Sequence, residues 1–96
     1  MAAYLVVDCK LTNPELYEQY KLQAKPLVEE SGGEYLARGG AMKIKESKLW
    51  SPTRMVLIRF PSVAQAEAFY HSAQYQEVLT ISLASAERTL FILEGM

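Results

Sequence analysis

The sequence predicts an α+β fold in which two β-α-β units share one sheet. Three observations carry the prediction. Four segments rich in strand formers are spread along the chain, at Tyr4–Cys9, Tyr35–Ile44, Arg54–Phe60 and Thr89–Glu94. Stretches with apolar residues at helical spacing fall between the first and second segments and between the third and fourth. Two glycine pairs, Gly32-Gly33 and Gly39-Gly40, flank a short stretch that carries Tyr35 and Arg38. Glycine suits a backbone that must take positive φ or pass close to another group. The first pair suits a helix stop and the second a bulge or strand exit.

Each element has a local cause. Tyr4-Leu5-Val6-Val7-Asp8-Cys9 is the first strand. Asn13-Pro14 starts the first helix, since asparagine caps and proline fits the first turn. Thr12 with Glu15 is an alternative capping box, which leaves the start open by a residue. Leu16, Tyr17, Tyr20, Ala24, Leu27 and Val28 fall on one face of this helix. Pro26 lacks a backbone donor and is expected to bend or break the last turn. The second strand runs from Tyr35 to about Ile44, interrupted at Gly39-Gly40. Lys45–Pro52 is a polar connection carrying Trp50, and Lys43, Lys45 and Lys48 read as solvated there. The apolar centre of Arg54–Phe60 reads as a strand buried on both faces. Ser62 with Gln65 has capping-box spacing, and the second helix runs to about His71. Ser72 caps a third, shorter helix on which Tyr75, Leu79 and Leu83 repeat, although β-branched Thr80 and Ile81 weaken it. Thr89–Glu94 is the last strand.

The order βαββαβ, with an extra short helix before the last strand, is the split-βαβ or ferredoxin-like arrangement. Both main helices then lie on one sheet face. The other face is left uncovered, and a second copy of the chain is the expected cover. The 96 residues form a single domain, 1–96.

Composition excludes several function classes. A net charge of −1 argues against a nucleic-acid partner. No apolar run has the length of a membrane span, so no membrane partner is expected. Met1-Ala2-Ala3-Tyr4 lacks the charged and apolar regions of a signal peptide, which predicts a cytoplasmic protein. The one cysteine, Cys9, allows no intrachain disulfide and reads as a structural thiol. A single histidine makes a histidine-cluster metal site improbable, and no phosphate-binding or hydrolase motif is present. The expected metal and cofactor complement is none.

The segments Ala3–Asp8, Tyr17, Tyr20 and Gly33-Glu34-Tyr35-Leu36-Ala37-Arg38-Gly39-Gly40 resemble those of a family of small bacterial proteins, DUF1330. Phe60-Pro61-Ser62, Ala66, Phe69-Tyr70-His71-Ser72, Tyr75-Gln76 and Leu93-Glu94-Gly95 continue the resemblance. It covers nearly the whole chain. It implies a dimeric α+β barrel, in which two ferredoxin-like sheets pack face to face, and it implies no established activity. The chain departs from the family at Ser82, where an arginine seven residues after the tyrosine of the Tyr-Gln pair is common. If that arginine holds an anion in relatives, Arg54 and Arg88 are the candidate replacements here.

Candidate site residues follow. His71 is the one side chain with an ordinary pKa near neutrality, and is the candidate catalytic acid or base. Its bland alternative is stabilisation of a helix C-terminus. Arg38 and Arg59 interrupt otherwise apolar strands, and Arg38 is the candidate carboxylate ligand. Arg54, Tyr20 and Tyr70 complete the candidate ligand-binding set. Tyr17 and Tyr20 read first as core residues. An Asp8–His71 dyad is excluded on topology, which is expected to place Tyr4, Arg54 and Arg38 at the His71 end. Asp8, Arg59, Tyr35 and Arg88 are expected at the other end, with Asp8 paired to an arginine. The leading function is a homodimer that binds or transforms a small anionic or aromatic molecule without metal or organic cofactor. The alternative is a non-enzymatic assembly or regulatory module with a closed cleft. Haem binding, resting on His71 and Trp50 alone, is a distant third.

Overall fold

The computed structural model describes every residue, Met1–Met96. The elements are β1 (Ala3–Leu11), α1 (Pro14–Glu30), β2 (Glu34–Arg38), β3 (Met55–Phe60), α2 (Val63–Tyr70), α3 (Ala73–Ser85) and β4 (Ala86–Glu94). The strands form one sheet in the order β2-β3-β1-β4, and every neighbouring pair is antiparallel. This is the ferredoxin-like arrangement with one added helix.

Three side chains start the helices. Asn13 accepts from the Leu16 N–H at 3.1 Å, Ser62 from Gln65 at 3.1 Å and Ser72 from Tyr75 at 3.2 Å. Each satisfies one of the donors that a helix start leaves free. Pro26 neither breaks nor ends α1, which continues to Glu30. Ala24 and Val28 are buried on either side of it, whereas Pro26 and Leu22, whose carbonyl loses its partner, sit on the exposed side. Packing holds the turn where the local bond is missing.

Alternation along the strands sets the two faces. Ala3, Leu5, Val7 and Cys9 of β1 and Val56, Ile58 and Phe60 of β3 are buried under the helices. Tyr17 and Val28 of α1, Ala66 and Phe69 of α2 and Tyr75 of α3 pack on them to form the core. The opposite face carries Val6, Met55, Leu57, Phe91 and Leu93 with no helix over it. There Met55 and Leu57 of β3 are half-exposed in the single chain.

Other boundaries differ from the sequence reading. β2 stops at Arg38, because Gly39 takes φ +69° and turns the chain away from the sheet. Residues 40–54 then form no regular element and are mostly exposed. β4 begins three residues early, since Ala86 is already extended as it caps α3. Leu83 is exposed on α3, while Ser82 and Ser85 are buried; their hydroxyls donate to the Leu79 and Ile81 carbonyls. Two small residues there let α3 lie close to α1 and the end of β1. The Ser85 carbonyl accepts from both Thr12 and Asn13 at that junction.

Candidate functional site

A cleft opens between α1 and the helix-covered face of the sheet. Its walls are apolar, from Leu5, Val7, Val56, Ile58 and Phe69. Its polar lining is four tyrosines, Tyr17, Tyr20, Tyr35 and Tyr75, with Arg38, Arg54, Arg88 and Lys21. Strand register explains why three arginines meet there. Arg88 stands opposite Cys9 and Arg38 opposite Val56, both on the covered face, and Arg54 lies just before β3 at the same end of the sheet. The free volume is about 30 Å³. That is room for about two waters, or for the two oxygens of a carboxylate.

The arginines lie over tyrosine rings rather than pairing with carboxylates. Arg38 lies 5.0 Å from the Tyr35 ring centre, Arg54 5.9 Å from that of Tyr17, and Arg88 5.2 Å from that of Tyr20. The ion pairs of the protein are Lys21–Glu18 and Lys25–Glu29, and His71 contacts Glu67; none of these contains an arginine. Glu18 is held below the usual carboxylate range first by Lys21 and only then by Arg38 and Arg54. A guanidinium over a ring keeps its in-plane N–H donors available. The cleft is therefore an arginine-lined pocket with no acid on its wall.

Below the mouth, the hydroxyls of Tyr20 and Tyr75 lie 2.9 Å apart, and Arg88 Nη2 donates to Tyr75 Oη at 3.1 Å. Burial pushes the Tyr17 hydroxyl up to about 12 and raises those of Tyr20, Tyr35 and Tyr75. All four are neutral donors at physiological pH. Burial works against the charge of Arg88, but the Tyr20 and Tyr75 oxygens outweigh it and hold the guanidinium as a cation.

Arg54 is placed by its backbone. Asp8 Oδ1 accepts from the Thr53 and Arg54 N–H groups at 2.9 and 3.0 Å, and Oδ2 accepts from Trp50 Nε1 at 3.0 Å. The Arg54 carbonyl accepts from Cys9 N at 3.0 Å, and its guanidinium reaches Cys9 Sγ at 3.6 Å. Gly39 gives it passage: a Cβ there would lie 2.9 Å from the Arg54 guanidinium. Burial alone would raise the Asp8 carboxyl, but the donors from Thr53, Arg54 and Trp50 outweigh it and bring it below the ordinary value.

Among the sequence candidates, Tyr20, Arg38 and Arg54 line the cleft. Tyr70 does not: it packs against Tyr75 at 5.5 Å and His71 at 5.2 Å between ring centres. His71 also lies outside the cleft. It is exposed beside Leu90–Ile92 of β4, with Nε2 3.1 Å from Glu67 Oε2. The expected division of residues between sheet ends holds for Tyr4 on one side and for Asp8 and Arg88 on the other, and fails for Arg38, Arg54 and Arg59. β1 and β3 run antiparallel with Asp8 opposite Met55, so Arg54, Arg38, Arg88 and Asp8 share one end, and Tyr4 and Arg59 share the other. Asp8 takes no arginine side chain; its partners are Trp50 and two backbone groups. Sequence reasoning did not assign Tyr17 or Tyr75 to the site, and it named Arg88 only as a stand-in for the arginine that relatives carry at the position of Ser82. The alternation of β4 was the available signal, since Arg88, Leu90 and Ile92 share a face.

The protein is thus a four-stranded antiparallel α+β domain with a tyrosine–arginine cleft on its covered face. The chain belongs to the family described as Domain of unknown function (DUF1330), whose model matches residues 2–96. The fold is also similar to solved structures. A protein of unknown function from Rhodopseudomonas palustris is 17% identical with a TM-score of 0.78, covering 99% of this chain and 82% of that one. A dimeric ferredoxin-like protein of unknown function from Thermobifida fusca is 13% identical with a TM-score of 0.68, covering 99% and 92%. The cofactor-independent oxygenase SnoaB from Streptomyces nogalater is 6% identical with a TM-score of 0.71, covering 99% and 93%. No curated protein matches the sequence.

Proposed function

We propose that the chain forms a homodimer through its uncovered sheet face and that each protomer binds a small organic anion, carboxylate first, in the tyrosine–arginine cleft. The observation that carries this reading is the set of three arginines that line one pocket and lack a carboxylate partner. Charges left unpaired in a partly apolar cleft favour a ligand of opposite sign. The apolar stripe Val6, Leu57, Phe91 and Leu93 supports the dimer, as do the dimeric structural relatives. The likeness to the oxygenase is one of fold and brings no reaction with it. The supply of donors suits binding, and an acid–base role for His71 finds no support in its position outside the cleft.

The narrowness of the cleft favours one second reading, an assembly module whose interior is filled. Calorimetric titration with acetate, benzoate and the neutral isostere benzamide separates the two. Binding of the carboxylates but not benzamide, with a loss of about tenfold or more in Arg54→Gln, is expected from a charged hydrogen bond. Absence of carboxylate binding to the wild type would overturn the anion reading and favour the assembly reading.

A further inference from the structure

The hydrogen bonds at the base of the cleft can be ordered from the one partner whose role is fixed. Arg88 can donate and cannot accept, so the Tyr75 oxygen receives a hydrogen from Nη2. Tyr75 is 1% exposed and packed among Phe69, Tyr70 and Tyr20. A buried hydroxyl must also give its own hydrogen to an acceptor. The oxygen within reach is Tyr20 Oη, at 2.9 Å. The order that gives the Tyr75 hydrogen a protein acceptor is Arg88 to Tyr75 to Tyr20. The Tyr20 hydrogen is left without a protein acceptor on a residue that lines the cleft. Each donor polarises the next, which makes this last hydroxyl a stronger donor than an isolated phenol.

We infer that Tyr20 is the specificity-determining contact of the cleft: its hydroxyl donates to an anionic oxygen of the ligand, with Tyr75 and Arg88 as positioning residues. This deepens and rests on the reading of the cleft as an anion site. It narrows the ligand class to small molecules that present an unprotonated carboxylate or enolate oxygen at the base of the pocket. About 30 Å³ admits that head group and keeps any ring or chain at the mouth, beside Lys21 and Arg38.

The test is a double-mutant cycle in benzoate affinity on Tyr20→Phe, Tyr75→Phe and the double variant, with benzamide as neutral control and circular dichroism as fold control. Tyr20→Phe is expected to weaken benzoate about tenfold. Tyr75→Phe should weaken it by a smaller factor, because Tyr20 is then no longer the end of a polarised chain. The double variant should lose little beyond Tyr20→Phe alone, since Tyr75 acts through Tyr20. Were the hydrogen bond to run the other way, Tyr75→Phe would free the Tyr20 hydrogen and leave benzoate affinity equal or higher; that result overturns the inference. Benzoate binding that is sensitive to Arg54→Gln but indifferent to Tyr20→Phe overturns it while leaving the anion site standing. If neither acetate nor benzoate binds the wild type, both readings fall.

Discussion

Replacing Asp8 isolates the clamp that holds the 39–54 segment and, through it, Arg54. The two carboxylate oxygens have separate tasks: Oδ1 takes the backbone N–H groups of Thr53 and Arg54, and Oδ2 takes the indole N–H of Trp50. Hydrogen bonds to a charged group contribute about 1.5–3 kcal/mol each when dry. These are largely open to water, and screening brings each toward the roughly 0.5–1 kcal/mol of a surface interaction. Asp8→Ala should therefore cost about 1.5–3 kcal/mol in urea unfolding. Asp8→Asn keeps an Oδ1 acceptor and loses the charge and the Trp50 contact, so about half that loss is expected. Trp50 is the only tryptophan, and its emission reports the clamp directly. The folded-state pKa of Asp8 lies below the ordinary 3.8. The clamp's contribution is full above pH 3.8 and is lost as pH falls through the lower, folded-state value. Trp50 emission in the wild type should shift to the red in that acid range, and in Asp8→Asn it should be shifted already at neutral pH. An Asp8→Ala variant within about 0.5 kcal/mol of wild type, with unchanged Trp50 emission, would refute the clamp.

Other consequences are as direct. Gly33→Ala places a Cβ 2.6 Å from Val28 Cγ1 and 2.9 Å from Phe60 Cζ, both in the core; overpacking should lower stability by about 1–3 kcal/mol in urea unfolding. Tyr17 ionises in the folded state near 12 against an ordinary 10.0. Folding stability should hold up to pH 10 and fall as pH rises toward 12, and tyrosinate absorption should show titration of this group delayed until unfolding. Phe91→Asp places a charge on the uncovered face, where Phe91 is 42% exposed. Sedimentation should show monomers for the variant and about twice the chain mass for wild type, and a dimeric variant would move the interface elsewhere.

The architecture was legible because local signals agreed with one another. Asn13, Ser62 and Ser72 announce the three helix starts, and the strand formers fall at the right intervals. The errors arose where tertiary context overrides a local rule. Pro26 reads as a breaker, yet Ala24 and Val28 anchor the helix on both sides of it. Ala86 to Arg88 lack strand character, yet β1 supplies nine ladder positions to pair with β4. The site was half legible. Arg38 and Tyr20 stand out by type and position, but the company they keep depends on strand direction. Placing Arg54 at the His71 end puts it on the wrong side of the sheet and hides its meeting with Arg88. Antiparallel register is a property of pairing between distant segments, and no window of the sequence carries it.

The placement of arginines over tyrosine rings has a consequence for the empty protein. Positive charges gathered without counter-charge repel one another, and aromatic faces offset that repulsion only in part. On the anion-site reading, such repulsion would hold the unliganded fold below the stability its packing allows, a trade between occupancy and robustness. Added salt should stabilise the empty protein by screening that repulsion. Trimming the charge at Arg54 should make the unliganded chain harder to unfold while weakening its response to carboxylates. The fold would then be at its most stable when the cleft is full or when the cleft has been disarmed.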